Sequence, residues 1–295
     1  MTNSAEQVCI ACHTKVPFRN SASRSSLAGA SIGSSRTSAR EVEIIVCPTC
    51  GLGFQQALPT DEELTALYES LVDEAYTEER GPRALAVSLA VRLLRRYAGE
   101  TRGKLLDAGC AAGIFLEEAA KDGWDVAGVE PSSFLRDRAA SVVRDRIRAG
   151  VFQDVAADEA FDVVTFWDVL EHVRDVPGTL AHAAAVLRPG GLVMINVPDR
   201  SSLVARVFGD RWPLLLPEHL HYFTPTSLRA LLSDAGFEPL GTHLHPVFFR
   251  VAYVVHRLSQ HVPALAFLSG IASSKIGAVP VPLLMGETTI VARKR

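Results

Sequence analysis

Between Lys104 and Pro198 the chain alternates apolar strand-like runs with helical stretches, and the first run ends in an acidic, glycine-containing turn. KLLDAGC leads through that turn into GIFLEEAAKDG, WDVAGVE into PSSFLRDRAASVV, and FDVVTFWDV into a helix near 176–187 that stops at RPGG before LVMINVP. A short strand is expected near Ile147 to Phe152. The run FDVVTFWDV is apolar on both faces, as in a strand covered by helices on each side. Strands alternating with helices demand a parallel sheet, because parallel neighbours need a long crossover and the helix supplies it. The expected fold is therefore α/β, a Rossmann-like, mostly parallel seven-stranded sheet. Towards the end, TSLRALLSDAGFE reads as a helix stopped at Gly236, and Thr288 to Ala292 as a final strand.

In such a sheet the ligand lies beyond the carboxyl ends of the strands, near the first strand and its turn. Here the turn runs Asp107-Ala-Gly-Cys-Ala-Ala-Gly113. A dinucleotide fingerprint starting at Gly109 would need glycines at 111 and 114, where the chain has Ala111 and Ile114, so a pyrophosphate cradle is excluded. Asp107 at the strand tip would also repel a diphosphate, whereas it suits a ligand carrying an ammonium and a sulfonium. Glu130, at the end of the next strand, can accept both hydroxyls of a ribose.

With those residues in place, 104–198 resembles the class I S-adenosylmethionine-dependent methyltransferases. LLDAGCAAG resembles the first motif of that family, VEPS its ribose-binding acid, FDVVTFWDVLEHV its fourth motif and LRPGGLVMINVP its post-motif strand. The resemblance implies that Gly109, Cys110 and Gly113 let the backbone approach the methionine part of the cofactor, and that Asp107 contacts it. It implies Glu130 and Pro131 at the ribose, Asp154 near the adenine amino group, and Asp168 beside the cofactor at the end of the fourth strand.

Methyl transfer is an in-line displacement that alignment and desolvation can drive, and a base is needed only where the acceptor must lose a proton. Two segments can supply one. Asp168-Val-Leu-Glu171-His172 is similar to the E-x-x-E-H segment of ubiquinone-pathway O-methyltransferases, which implies a second divalent cation on Asp168, Glu171 and His172. Pro217-Glu-His219-Leu-His221-Tyr222-Phe-Thr224 resembles the EHLHYF stretch of zinc-knuckle methyltransferases from polysaccharide and secondary-metabolite clusters. His221 or His219 is accordingly expected as base or acceptor-binding group, with His172 as the further candidate. His219 and His221 are two apart, so if the segment is extended they point the same way. His243, His245, His256 and His261 show no ligand spacing and read as structural.

Ahead of the sheet lie Cys9/Cys12 and Cys47/Cys50, two C-x-x-C pairs able to surround one structural Zn²⁺. A disulfide reading is disfavoured in a reducing compartment, and a redox C-x-x-C would need a thioredoxin-like context. The serine- and arginine-rich part of residues 13–46 reads as a flexible excursion. The segment TDEELTALYES is expected as a helix capped by Thr60 with Glu63, followed by a second helix from Arg83 to Tyr97. The organisation expected is a zinc-ribbon-like module over 1–58, a helical linker or lid over 59–103, and a methyltransferase domain over 104–295 with an insert at 241–287.

A composition of 48% hydrophobic and 21% charged residues fits a globular chain, and a net charge of −3 gives no basic field for nucleic acid. No signal-like leader opens the sequence, and the greasy stretch Val262 to Met285 is too interrupted to span a bilayer. A cytoplasmic location with, at most, peripheral membrane contact is the expectation. The expected reaction is methyl transfer from S-adenosylmethionine to a hydroxyl or carbon of a small-molecule, sugar or lipid-linked acceptor. The competing readings are an rRNA methyltransferase with a zinc module and a non-catalytic cofactor-binding scaffold.

Overall fold

The structure is a computed structural model; it describes residues 6–17, 21–26, 41–56, 58–70, 79–100, 102–261, 270 and 274–295. Within it the amino-terminal strands β1 (Glu6–Val8) and β2 (Lys15–Pro17) form one antiparallel hairpin. Strands β3 (Ser21–Ser26), β4 (Glu41–Val46) and β5 (Gly53–Gln55) build a second antiparallel set. Ser21–Ser26, the first part of the stretch expected as a flexible excursion, is strand, and residues 27–40 of that stretch lie outside the described residues. The backbone of that strand pairs along β4, and the pairing does not depend on an apolar alternation that the sequence could display.

Helix α1 (Asp61–Glu69) starts with the expected capping box: the Thr60 hydroxyl accepts from the Glu63 amide, and the Glu63 carboxylate accepts from the Thr60 amide. Helix α2 (Arg80–Ala98) buries Pro82, Ala86, Ala90, Val91 and Leu94 against the sheet side of the molecule.

The seven strands of the main sheet are β6 (Lys104–Ala108), β7 (Asp125–Glu130), β8 (Ile147–Ala149), β9 (Phe161–Trp167), β10 (Leu187–Pro198), β12 (Phe237–Arg250) and β13 (Pro280–Lys294). Strand β11 (His221–Tyr222) belongs elsewhere. The spatial order is β12-β13-β10-β9-β6-β7-β8, and β13 is antiparallel to both of its neighbours. The order reverses between β6 and β9, which puts the ligand crevice at their carboxyl ends. The seven-stranded, mostly parallel α/β architecture is as expected.

Three local boundaries differ from the sequence reading. Helix formation after β7 begins beyond Pro131: Ser132 caps Ser133–Arg136, and a second short helix covers Ser141–Arg144. Strand β8 stops at Ala149, and Phe152–Asp154 turns into a 3₁₀ helix. The two ends of the segment expected as an insert at 241–287 belong to the sheet. Strands β12 and β13 pair from Phe237/Lys294 out to Arg250/Pro280, well past the end of β10, and helix Val251–His261 caps the arm.

The amino-terminal module is not an independent appendage. Strand β5 pairs antiparallel with β11, His221 opposite Phe54, so the module and the main domain share a four-stranded sheet ordered β11-β5-β4-β3. Its apolar residues Val16, Ile45, Leu52 and Phe54 join one continuous core with Leu228, Leu231 and Phe237. No helix among the described residues is long and apolar enough to cross a membrane.

Candidate active site

A cavity of about 690 Å³ opens at the carboxyl ends of β6, β7 and β9. Its volume lies in the range of roughly 300–1,000 Å³ usual for small-molecule sites. One end carries Asp107, Gly109, Cys110, Ala111, Glu130 and Pro131; the other carries His172, Glu218 and His219.

At the first end, Asp107 is 2% exposed and its carboxylate accepts a 2.7 Å hydrogen bond from the Thr165 hydroxyl on β9. Burial pushes this carboxyl up to about 8. A carboxyl so placed favours a cation beside it, since a neighbouring positive charge restores the ionised form. The turn behind it needs left-handed backbone at Gly109 (φ 68°) and Ala111 (φ 47°). A Cβ at Gly109 would stand 2.7 Å from the Val169 side chain, so glycine is required there. The Ala111 amide donates to Glu130 Oε2 at 2.9 Å and the Ser132 amide to Glu130 Oε1 at 2.8 Å. Both oxygens are thus oriented while each keeps a lone pair for a diol.

The remaining cofactor candidates divide. The Cys110 side chain turns towards Gly128, where an added Cβ would approach its sulfur to 2.6 Å. Gly113 (φ 69°) starts helix Ile114–Lys121, packs against Val143 and Ile147, and is not among the residues lining the cavity. Asp154 is not there either: its carboxylate accepts from the Val151 amide at 2.9 Å, and its neighbour Gln153 faces the cavity instead.

At the far end, Asp168 occupies left-handed backbone (φ 53°) and accepts a 2.8 Å hydrogen bond from Asn196. The same amide nitrogen donates to Glu287 at 3.0 Å, and Arg83 supplies the positive charge facing both acids. Burial, then repulsion from Asp168, pushes Glu287 up to about 8. Asp168 therefore does not join Glu171 and His172, which corrects the expected cation set. Among the described residues, the groups brought together are Glu171, His172 and His219, with one ligand atom each within 4.8 Å of the others. Glu171 is 1% exposed, and neither of its carboxylate oxygens has a hydrogen-bond partner, nor has His219 Nδ1. Those unpartnered lone pairs fit a divalent cation.

His172 Nδ1 lies 3.1 Å from the Glu218 carbonyl, which can only accept, so Nδ1 carries the hydrogen and Nε2 is left with its lone pair. Burial holds His172 down to about 4 and lowers His219 further below the ordinary histidine range. Both rings are neutral at pH 7, in the form that can take a proton. His221 does not accompany them. The chain bends at Leu220, whose amide donates to the Glu171 carbonyl at 2.7 Å, so 219–221 is not extended. His221 turns into the β11–β5 pairing, stacked on Phe223, away from the cavity.

The cavity walls include residues that the sequence did not single out. Arg83 and Tyr68 come from the two covering helices, and Tyr68 meets His172 edge-on at 6.0 Å. His245, read as structural from its spacing, lines the cavity with its ring 5.5 Å from Trp167. Phe248 and Phe249 descend from the β12 arm. The apolar run 247–249, in a segment whose apolar residues are expected to roof the acceptor site, dimerise or meet a lipid-linked substrate, is the sequence's hint at this.

In the amino-terminal module the cysteines sit at the tips of two hairpins. Cys9 and Cys50 sulfurs are 3.5 Å apart, Cys12 and Cys47 sulfurs 3.4 Å, and all four lie within 4.8 Å. A disulfide needs about 2.05 Å, whereas a tetrahedron with Zn–S near 2.3 Å has edges of about 3.8 Å, so the set fits a metal. His13 points elsewhere, to the Asp234 carboxylate at 2.9 Å.

The methyltransferase domain family matches residues 78–241, more than half of the chain. The chain belongs to that family. It is a methyltransferase that depends on S-adenosylmethionine. The methyltransferase is 30% identical over 172 residues to the ubiquinone biosynthesis O-methyltransferase of Bordetella avium, covering 52% of this chain and 70% of that one. The corresponding protein of Azorhizobium caulinodans is 33% identical over 171 residues, 50% of this chain and 66% of its own length. Among solved structures, a SAM-dependent methyltransferase from Archaeoglobus fulgidus matches with a TM-score of 0.52 at 17% identity, over 75% of this chain and all of the other. The 1,6-didemethyltoxoflavin-N1-methyltransferase of Burkholderia thailandensis matches with a TM-score of 0.51 at 17% identity, over 89% of this chain and 99% of its own. At such identities the solved structures speak for the fold alone. The amino-terminal module lies outside the matched residues of the family.

Proposed function

We propose that this methyltransferase moves the methyl group of S-adenosylmethionine to a hydroxyl of a small-molecule acceptor held between the cofactor end and the histidine end of one cavity. The observation that carries the reading is the continuity of that cavity from Asp107 and Glu130 to His172 and His219. In this reading Asp107 faces the ammonium and sulfonium region of the cofactor and Glu130 its ribose. The sulfonium is a full positive charge that transfer removes, so a cavity walled largely by apolar and aromatic side chains favours the displacement. His172 Nε2 or His219 Nδ1 takes the acceptor proton, and each is neutral at working pH. A divalent cation held by Glu171, His172 and His219 would occupy those same lone pairs and would supply, in place of a histidine base, Lewis acidity that makes an acceptor hydroxyl more acidic. Zn²⁺ on Cys9, Cys12, Cys47 and Cys50 is structural, since four thiolates leave no open position.

The names of the relatives support oxygen as the accepting atom, and Trp167, Phe248, Phe249 and His245 support a flat or ring-shaped acceptor. The test is transfer of labelled methyl from S-adenosylmethionine to a panel of catechols, phenols and nucleotide-activated sugars. Label recovered as a methyl ether on one class supports the reading. Label recovered only on nitrogen, on carbon or on RNA overturns it.

A further inference from the structure

We propose that Gln55 is a positioning residue through which the cysteine module sets the conformation of the loop carrying His219. The inference rests on the proposed function only in taking that loop as acceptor-facing.

Gln55 is five residues beyond Cys50, the last residue of β5, and is 3% exposed. Its side-chain nitrogen donates to the Pro217 carbonyl at 2.7 Å and to the His219 carbonyl at 2.9 Å. Its backbone amide donates to the Leu220 carbonyl at 3.0 Å. The carbonyl between these, of Glu218, is taken by His172. Each carbonyl from Pro217 to Leu220 is therefore fixed, and Gln55 alone fixes three of the four. One carboxamide satisfies two acceptors on either side of Glu218, so the loop can close only in the curvature that turns His219 into the cavity. Methionine fills the same volume and donates nothing, and asparagine is one methylene too short to reach both carbonyls.

The module is also held rigidly at its other edge. The Thr224 hydroxyl donates to the Cys50 carbonyl at 2.7 Å, and β5 pairs with β11 directly after Leu220. The loop and the strand that follows it are thus tied to Gln55 and to Cys50, the last cysteine of the second pair. This gives the module a task that its own sequence does not disclose: it is the template against which the acceptor loop is moulded. Unmet carbonyls in this buried place would turn to water, and the loop would open.

The experiment compares the full-length wild type with Gln55→Met and Gln55→Asn, using the rate of carbethoxylation at His219 by diethyl pyrocarbonate. The rate is followed by peptide mass spectrometry against exposed His256 as internal reference. S-adenosylhomocysteine affinity, metal content and melting temperature are measured on the same samples, which separates a local effect from unfolding. The expected result is a rise at His219 of at least about fivefold in Gln55→Met and a smaller rise in Gln55→Asn. S-adenosylhomocysteine affinity should stay within about twofold of the wild type and the His256 rate should not change. For any acceptor found in the panel, kcat/KM should fall at least about tenfold, with KM for S-adenosylmethionine unchanged. A His219 rate within twofold of the wild type in both variants overturns the inference. The His219 readout needs no acceptor, so an empty acceptor panel counts against the proposed function and leaves this test standing.

Discussion

The Thr165 hydroxyl on β9 donates to the Asp107 carboxylate at the tip of β6, across 2.7 Å and out of reach of solvent. That one bond spans the two strands between which the sheet order reverses, so the acid sits where the fold places a ligand. It also leaves a buried acid that keeps its proton until a cation arrives. Burial holds it up to about 8 against an ordinary 3.8.

The sign of the resulting pH effect follows directly. The folded protein keeps a proton on Asp107 that the unfolded chain gives up above about pH 4. The stability tied to that proton is fully present below pH 4 and is lost as the pH rises towards 8. Asp107→Asn, which still accepts from Thr165, removes the loss. Its melting temperature should exceed that of the wild type increasingly from pH 4 to pH 8, by thermal unfolding at matched ionic strength. A difference that does not grow with pH would place the acid in water.

Binding a cationic ligand beside Asp107 should release a proton at pH 7, because the acid passes from protonated to ionised. Titration calorimetry with S-adenosylmethionine in phosphate and in Tris should give enthalpies that differ by a large part of the difference in buffer ionisation enthalpy. Identical enthalpies would contradict the assignment.

On the acceptor side, His219→Ala should reduce turnover by about 10²–10⁴-fold, the usual range for a lost general base, with S-adenosylhomocysteine affinity nearly unchanged. His172 is held down to about 4, so its basic form persists as the medium is acidified. The rate should therefore show no falling limb near pH 6.5. A limb there would mean that the acting histidine is solvated.

His221 offers the contrasting case. Stacked on Phe223 and paired through its backbone with Phe54, it faces the junction with the amino-terminal module. His221→Phe should keep acceptor KM and turnover within about threefold of the wild type. A loss matching that of His219→Ala, in protein that still binds S-adenosylhomocysteine, would return His221 to the reaction.

For the metal, Cys47→Ser should lose about one equivalent of zinc by elemental analysis and unfold at a lower temperature, because binding free energy of a closed site is folding free energy. Retention of the full equivalent would refute the four-thiolate site.

What the sequence makes legible is what lies contiguous in it. Asp107 with its turn and Glu130 at the next strand end are local patterns, and the buried run 161–167 announces β9 as a central strand. The rest depends on distant pairing. Glu287 meets Asp168 only because β13 runs antiparallel to β10 and Asn196 bridges them. His245 reaches Trp167 only because β12 continues as an arm past the sheet. His219 and His221 look equivalent by spacing, and a bend at Leu220 separates them. Gln55 carries no motif, since its partners are three backbone carbonyls more than 160 residues away.

The claim on which the rest depends is that Asp107 and Glu130 hold the cofactor, and calorimetry with S-adenosylhomocysteine tests it most directly. The account predicts saturable one-to-one binding to the wild type and no measurable heat with an Asp107→Ala/Glu130→Ala variant that melts cooperatively. Binding of undiminished affinity to that variant would contradict it.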